Sequence, residues 1–308
     1  MTKGTAEIGE MDGELAAYLA DLGARTTVIA GPDPTLAQMR LAGRQGRLAA
    51  ARTGPPMAGR AITLHGMAAR LYLPDHAKGL IVYLHGGGWV MLDLDTHDHI
   101  LRTLAIHSGC AVIGIDYPHA PEVRFPDLPR QCAAAVAEVR ARAAEFGPDA
   151  ARPILAGDSS GANLALAVAL GDPAPIAGLM LFYGVYDADF GRPSYRAFGQ
   201  PPHLLTPQRM AMFWDHYCPP ARRTDPMAAP ALCPVQALAG LPPVWMAIAG
   251  RDVLVDENMA MAALLQDAGV QVDVVTQTDA PHGFIEAIGQ SHVADRTMMA
   301  AALWAKGI

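Results

Sequence analysis

One serine of this 308-residue chain stands in a pattern that suits nucleophilic chemistry. Residues 157–161 read Gly-Asp-Ser-Ser-Gly and fit G-x-S-x-G, in which a sharp turn from a strand into a helix projects the serine hydroxyl from the sheet. The glycines leave room for that strained turn. A strand is predicted at 153–156 and a helix at 161–170. Ser159 is therefore the candidate nucleophile, and a glycine-flanked helix start without chemistry is the alternative.

A serine hydroxyl is a weak nucleophile at neutral pH and needs a base. Among eleven histidines, His282 lies in a turn between the predicted strand 272–277 and the final helix. Loops at the carboxyl ends of parallel strands gather the sites of such sheets, so His282 is the predicted general base. His97 and His99 would indicate a metal only with a third ligand, which the sequence does not supply. We predict no metal and no cofactor.

An acid that orients the histidine should follow the penultimate strand, predicted at 244–248. Asp252 is nearest the end of that strand and is the predicted third member. Asp256 better suits the N-cap of the next helix, with Glu257 in its first turn. Asp279 is expected to be a turn residue. The resulting order Ser…Asp…His is that of the α/β-hydrolase fold.

A glycine loop provides donors for a developing negative charge. His85-Gly86-Gly87-Gly88-Trp89 directly follows the apolar strand predicted at 80–84. Fixed backbone N–H groups in such a loop can stabilise the oxyanion of acyl transfer. A phosphate loop is excluded because no Lys-Ser/Thr follows and the glycines are spaced differently. A plain glycine turn is the alternative.

Strands and helices that alternate along the chain must position these residues. Such alternation predicts one α/β domain over 1–308, with a mostly parallel sheet flanked by helices. The strands are predicted at 61–64, 69–73, 80–84, 111–115, 153–156, 176–183, 244–248 and 272–277. The helices are predicted at 14–22, 36–51, 97–107, 128–145, 161–170, 208–217, 256–268 and 294–306, with Asp33 as a cap for the second.

The Pro-, Arg- and aromatic-rich segment 186–231 interrupts this alternation and is expected to be a lid or an insertion.

Composition excludes several classes of partner. The net charge is −7 without a Lys/Arg cluster, which argues against nucleic acid. No apolar run reaches the roughly 18 residues of a membrane span. The first residues lack the basic and apolar regions of a secretory signal, so a cytoplasmic location is expected. The four cysteines are scattered, which favours free, buried thiols.

Taken together, these motifs resemble those of the hormone-sensitive-lipase-like branch of the α/β-hydrolases. This branch includes bacterial acetyl esterases and carboxylesterases. The resemblance runs from about residue 60 to the C-terminus. It rests on HGGGW at 85–89, the segment from Asp116 to Pro126, GDSSGAN at 157–163, DVLVDE at 252–257 and HGF at 282–284. The sequence departs from the family at Ser160, Val253 and Pro118-His119, where alanine, proline and Arg-Leu are usual.

The resemblance implies a helical cap, formed by about 1–56 and 186–231, over the active site. It also implies oxyanion donors at the N–H groups of Gly87, Gly88 and Ser160, and a substrate channel lined by Trp89.

The predicted function is that of a serine carboxylesterase, which hydrolyses short-chain esters of small molecules through an acyl-enzyme intermediate. An amide or formamide hydrolase is the alternative, since the same groups serve acyl transfer from nitrogen. A second alternative is a non-catalytic protein of this fold that binds a small ligand. Such proteins typically lack the catalytic histidine, whereas His282 is present here. A homodimer through an edge strand such as 272–277 is compatible with the sequence.

Overall fold

The computed structural model describes residues 10–31, 34–52, 54–147, 150–172 and 174–308. An eight-stranded sheet of order β1-β2-β4-β3-β5-β6-β7-β8 forms its centre. The strands are β1 (Arg60–Leu64), β2 (Met67–Tyr72), β3 (Leu80–Leu84), β4 (Ala111–Ile115), β5 (Ile154–Asp158), β6 (Gly178–Phe182), β7 (Val244–Arg251) and β8 (Val272–Pro281).

The sheet is parallel except at one edge. β2 pairs antiparallel with both β1 and β4, and all other neighbours are parallel. The predicted mostly parallel sheet is thereby confirmed. β3, β4, β5 and β6 are buried along their whole lengths, which explains their continuous apolar sequences.

Helices cover both faces of the sheet. They are α1 (Gly13–Ala30), α2 (Leu36–Ala50), α3 (Leu94–Ser108), α4 (Asp127–Ala141), α5 (Ser160–Gly171), α6 (Pro193–Phe198), α7 (Pro207–Tyr217), α8 (Val235–Leu238), α9 (Val255–Asp267) and α10 (His292–Gly307). Leu80, Val82 and Leu84 of β3 join the core beneath α4, α5 and α9. Ile81 and Tyr83 point to the opposite core, beneath α1, α3 and α10. This alternation is the two-residue period of a strand covered on both sides.

Several elements differ from the sequence predictions, of which two lie close to the site. α1 continues to Ala30 rather than ending near Leu22. Segment 186–231 contains a second helix, α6, in addition to α7. The predicted cap Asp33 lies outside the described residues, and the side chain of Thr35 caps α2 in a capping box with Gln38.

All four cysteines are buried and unpaired, as predicted. Within the described ranges no helix combines the length and the apolar character that crossing a membrane requires.

Arg40 attaches α2 to the loops beside the glycine turn. Arg40 Nε donates to the carbonyl of Val90 at 2.8 Å, and Nη2 donates to the carbonyl of Ala120 at 2.8 Å. Both terminal nitrogens also bind the carboxylate of Glu122, at 2.7 and 2.6 Å. Because the Glu122 side chain is 60% exposed, the two carbonyl contacts supply most of the stabilisation.

We expect Arg40→Met to lower the free energy of unfolding by about 2 kcal/mol, since two backbone carbonyls lose a charged donor. Urea unfolding measures this change. Arg25→Met is the control, because Arg25 pairs with Asp21 on the exposed face of α1, and it should leave the urea midpoint unchanged. Equal midpoints for the two variants would contradict the assigned role of Arg40.

Candidate active site

Ser159 occupies the sharp turn between β5 and α5. Its backbone angles, φ 53° and ψ −120°, lie in a region that non-glycine residues rarely adopt. The Ser159 N–H donates to the carbonyl of Phe182 at 2.9 Å, which holds the turn. A Cβ at Gly161 would lie 1.9 Å from the carbonyl oxygen of Leu84, so only glycine permits this approach. The strand–turn–helix that the sequence predicts around Ser159 is present.

The structure brings together Ser159, Asp252 and His282, which are far apart in the chain. His282 Nε2 lies 2.9 Å from Ser159 Oγ, and His282 Nδ1 lies 2.6 Å from Asp252 Oδ2. The second oxygen of Asp252 accepts from the N–H of Leu254 at 3.1 Å, which fixes the carboxylate. The side chain of His282 is 17% exposed and that of Asp252 only 1%, so substrate reaches the histidine while the acid stays dry.

These contacts also assign the tautomer of His282. A carboxylate beside Nδ1 accepts a hydrogen bond, so Nδ1 carries the proton and Nε2 is free to accept from the serine hydroxyl. The ring of Tyr183 meets the imidazole edge-on with centroids 4.9 Å apart, which restricts rotation of the histidine. The arrangement can remove a proton from Ser159.

The predictions for the two competing acids are wrong. The N-cap position of α9 is Leu254, and Asp256 lies inside the first turn, where its carboxylate accepts from the N–H of Ser194 at 2.8 Å. Asp279 lies within β8, which continues to Pro281, and its carbonyl accepts from the N–H of Asp12. Glu257 is in the first turn as predicted.

Three backbone N–H groups border the serine without a partner. Gly87 and Gly88 have positive φ angles of 123° and 62°, which turn the loop after β3 sharply. Ser160 begins α5, where N–H groups have no intrahelical acceptor. Over the described stretches of the chain, the N–H groups of Gly87, Gly88 and Ser160 meet no protein acceptor. They are available to an anionic oxygen, as the resemblance implies.

Asp158, which the sequence patterns did not single out, anchors the glycine loop to the serine turn. Its buried Oδ1 accepts from the Gly86 N–H and the Tyr83 hydroxyl, each at 2.9 Å, and lies 3.3 Å from His97 Nε2. Burial opposes ionisation of Asp158, but the charge and hydrogen bond of His97 outweigh it and lower the pKa of the carboxyl. The same pair raises the pKa of His97 against the effect of burial.

His97 and His99 thus have structural partners. His99 Nε2 lies 3.0 Å from the carbonyl of Glu286. In the portion of the chain that the structure describes, no group of three or more His, Cys, Asp or Glu side chains could hold a metal ion.

A cavity of about 70 Å³ opens beside Ser159 and His282. Its small size suits a short acyl chain. The helices α1, α2 and α7 and the loop before α7 supply much of its wall, through Leu19, Leu22, Arg47, Leu205, Met210 and Phe213. The sequence pointed to these segments but to none of these side chains, because no spacing rule marks a cavity wall built from separate elements.

The prediction for Trp89 is wrong. Its side chain is fully buried and does not line the cavity beside Ser159. The indole stacks on Tyr217 with ring centroids 4.1 Å apart and meets Trp214 edge-on at 5.0 Å. Trp89 therefore supports α7 from beneath. Phe213 of α7 faces the glycine loop instead, where a Cβ on Gly88 would lie 2.4 Å from its ring.

Comparison with known proteins identifies relatives of the whole arrangement. A family model for the α/β-hydrolase fold matches residues 81–286. Carboxylesterase NlhH of Mycobacterium tuberculosis is 34% identical over 232 residues, which cover 72% of this chain and 72% of the relative. Ethyl acetate hydrolase of Pseudomonas putida is 35% identical over 232 residues, again 72% of each chain.

Solved structures agree with the sequence relatives. A thermostable esterase from Pseudomonas putida ECU1011 superposes with a TM-score of 0.86 at 30% identity and covers 98% of both chains. A hyperthermophilic esterase from the archaeon Pyrobaculum calidifontis gives a TM-score of 0.89 at 28% identity, covering 97% of this chain and 99% of its own. These likenesses confirm the predicted α/β-hydrolase fold.

The pair of His97 and Asp158 predicts a pH-dependent stability. Because its pKa is raised in the folded chain, His97 stabilises fully below pH ~6.5, its unfolded value, and less as the pH rises through the folded pKa. We expect His97→Phe to cost about 3 kcal/mol at pH 6 and clearly less at pH 9, measured by urea unfolding. His107→Phe, in the last turn of the same helix, is the control. An equal cost at both pH values would contradict the charged pair.

Proposed function

The chain belongs to the hormone-sensitive-lipase-like family of α/β-hydrolases, and we propose that it hydrolyses carboxylic esters through an acyl-enzyme formed on Ser159. The observation that carries this proposal is the unbroken hydrogen-bond path from Ser159 through His282 to Asp252 at the floor of a small cavity. Relatives named as carboxylesterase, ethyl acetate hydrolase and acetyl esterase support the reaction class.

In the first half of the reaction His282 Nε2 takes the proton of Ser159 as Oγ attacks the ester carbonyl. The imidazolium that forms lies against the Asp252 carboxylate, which stabilises its charge. The carbonyl oxygen becomes an anion and accepts from the N–H groups of Gly87, Gly88 and Ser160. Fixed donors of this kind lower the barrier by a few kcal/mol because they need no reorganisation.

The first half ends when the C–O bond to the alcohol breaks and His282 gives its proton to the departing oxygen, which leaves the acyl group on Ser159. In the second half water attacks the acyl-enzyme and His282 accepts a proton from that water. The new oxyanion again accepts hydrogen bonds from the three N–H groups. Breakdown of this intermediate releases the carboxylic acid and restores the Ser159 hydroxyl.

We further propose a single hydrolase domain over 1–308, in which about 1–56 and 186–231 form a cap. The cavity walls support this division, because α1 and α2 contribute Leu22 and Arg47 while the second segment contributes Leu205 and Phe213. Such a cap excludes water from the reacting carbonyl and limits the length of the acyl chain.

The proposal also covers the length of the acyl chain, the cellular location and the oligomeric state. The small cavity beside Ser159 supports short acyl chains of about two to six carbons. A cytoplasmic location stays a prediction from the sequence. Dimerisation also stays a prediction, and β8, which lies at the edge of the sheet with Val274 37% exposed, is the strand that would mediate it.

Ser159→Ala is expected to lower kcat/KM for p-nitrophenyl acetate by about 10⁴-fold or more, because the nucleophile is removed. Asp252→Asn should lower it by about 10³-fold or more, because an amide favours the wrong tautomer of His282. Asp256→Asn is the matched control, four residues further along, and should stay within about threefold of the wild type. Retention of more than a trace of activity by a folded Ser159→Ala variant would refute the mechanism.

Acyl-chain preference tests the proposed size. Rates for p-nitrophenyl esters from acetate to decanoate should peak between about two and six carbons and fall at least about tenfold by decanoate, because the cavity admits few groups. A steady rise toward decanoate would contradict the short-chain assignment. Matched p-nitroanilides distinguish the amide hydrolase, which would cleave ester and anilide at comparable rates.

A further inference from the structure

Two arginines line the cavity that contains Ser159, and one of them has its charge neutralised. Arg47 Nε lies 2.8 Å from Glu286 Oε2, and the hydroxyl of Tyr18 donates to the same oxygen at 3.4 Å. Of the cavity's two carboxylates, Glu286 is thus matched by Arg47 and Asp158 by His97. These charges balance one another.

Arg209 is the second arginine, and the partner that the structure gives it is a neutral group. Nη1 donates to the carbonyl of Leu204 at 3.0 Å, which is a neutral acceptor of the preceding loop. Among the residues that the structure describes, no carboxylate lies within ion-pair distance of Arg209, and its Nε and Nη2 groups have no protein acceptor. Burial and the nearby charge of Arg47 lower the pKa of Arg209.

Arg209 lies in the wall of two cavities. Arg209 and Arg47 also line a second cavity of about 280 Å³, between α1, α2 and the loop before α7. Leu22 and Leu204 border both cavities. A substrate with its carbonyl at Ser159 can therefore extend along Arg209 toward the second space.

A cation beside a low-dielectric cavity is costly unless an anion accompanies it. We propose that Arg209 binds a carboxylate of the ester substrate at a distance from the scissile bond, and so selects esters of dicarboxylic or hydroxycarboxylic acids. This inference rests on the proposed ester hydrolysis and specifies its substrate class. The free Nε–H and Nη2–H groups form the side of the guanidinium that receives a carboxylate in two parallel hydrogen bonds.

The charge count favours a carboxylate over a phosphate. Among the described side chains that line the cavity, Arg209 is the cation without a carboxylate partner, and a monoanion neutralises its charge. A phosphate monoester brings close to two negative charges and would face the carboxylates of Glu286 and Asp158 on the same walls. Binding a remote carboxylate would orient the ester carbonyl toward Ser159. The charged ester should therefore have a higher kcat/KM than a neutral ester of equal length.

The test compares the hydrolysis rates of charged and neutral methyl esters of equal length. Each rate is measured in a pH-stat as the release of acid. Monomethyl succinate, glutarate and adipate are set against methyl butanoate, pentanoate and hexanoate. A second arm sets 4-acetoxybutanoate against butyl acetate, so the two arms tell a carboxylate on the acyl side from one on the alcohol side. We expect the wild type to favour the charged ester by at least about tenfold in one arm.

Arg209→Gln should lower kcat/KM for that charged ester by about 10- to 100-fold, the range expected for a charged hydrogen-bonded pair, and alter the neutral ester less than about threefold. Arg209→Lys should retain part of the preference because it keeps the charge. Arg130→Gln is the matched control, since Arg130 pairs with Asp127 on the exposed face of α4.

Two outcomes would overturn the proposal for Arg209. The wild type would prefer the neutral ester in both arms, or Arg209→Gln would slow charged and neutral esters by the same factor, as a purely structural arginine would. Failure of the proposed ester hydrolysis has a different signature, because no methyl ester would then depend on Ser159. In that case Ser159→Ala would match the wild type on methyl pentanoate.

Discussion

The buried carboxylate of Asp158 joins the two halves of the candidate site. It is the last residue of β5 and precedes Ser159, yet its hydrogen bonds are to Gly86 in the loop after β3 and to Tyr83 within that strand. The serine turn and the glycine loop are therefore held at one distance by a single charged group. His97 beneath it supplies the countercharge that makes this burial tolerable. The alignment of the three free N–H groups with the serine hydroxyl depends on this contact.

This constraint explains how a strained serine persists. The φ of 53° at Ser159 costs free energy, which the surrounding contacts must offset. The Phe182 carbonyl, the close packing of Gly161 on Leu84 and the Asp158 contacts all fix the same turn. The strain keeps the hydroxyl pointing to His282 before any substrate arrives, so little reorganisation is left for the reaction itself.

The sequence predicted most of the fold because each buried strand is a continuous apolar run ended by glycine, proline or a polar residue. It also pointed to Ser159, Asp252 and His282, since each follows a predicted strand. It failed where side chains act across elements. Asp256 resembled a helix cap, but α9 begins one residue earlier and directs that carboxylate to Ser194. The side chain of Trp89 lies in the core behind α7. Arg209 lines the cavity only because α7 packs over the serine.

The pair of Arg47 and Glu286 limits how this architecture can be recombined. Arg47 belongs to α2, whereas Glu286 lies in the short turn directly after His282. A chimera that grafts the helix pair of another hydrolase onto this sheet would leave the Glu286 side chain, only 8% exposed, without its countercharge. Only a helix pair with a cation at the position of Arg47 would be compatible with this sheet. The N-terminal helices and the histidine turn therefore have to be exchanged together, although they lie near opposite ends of the chain.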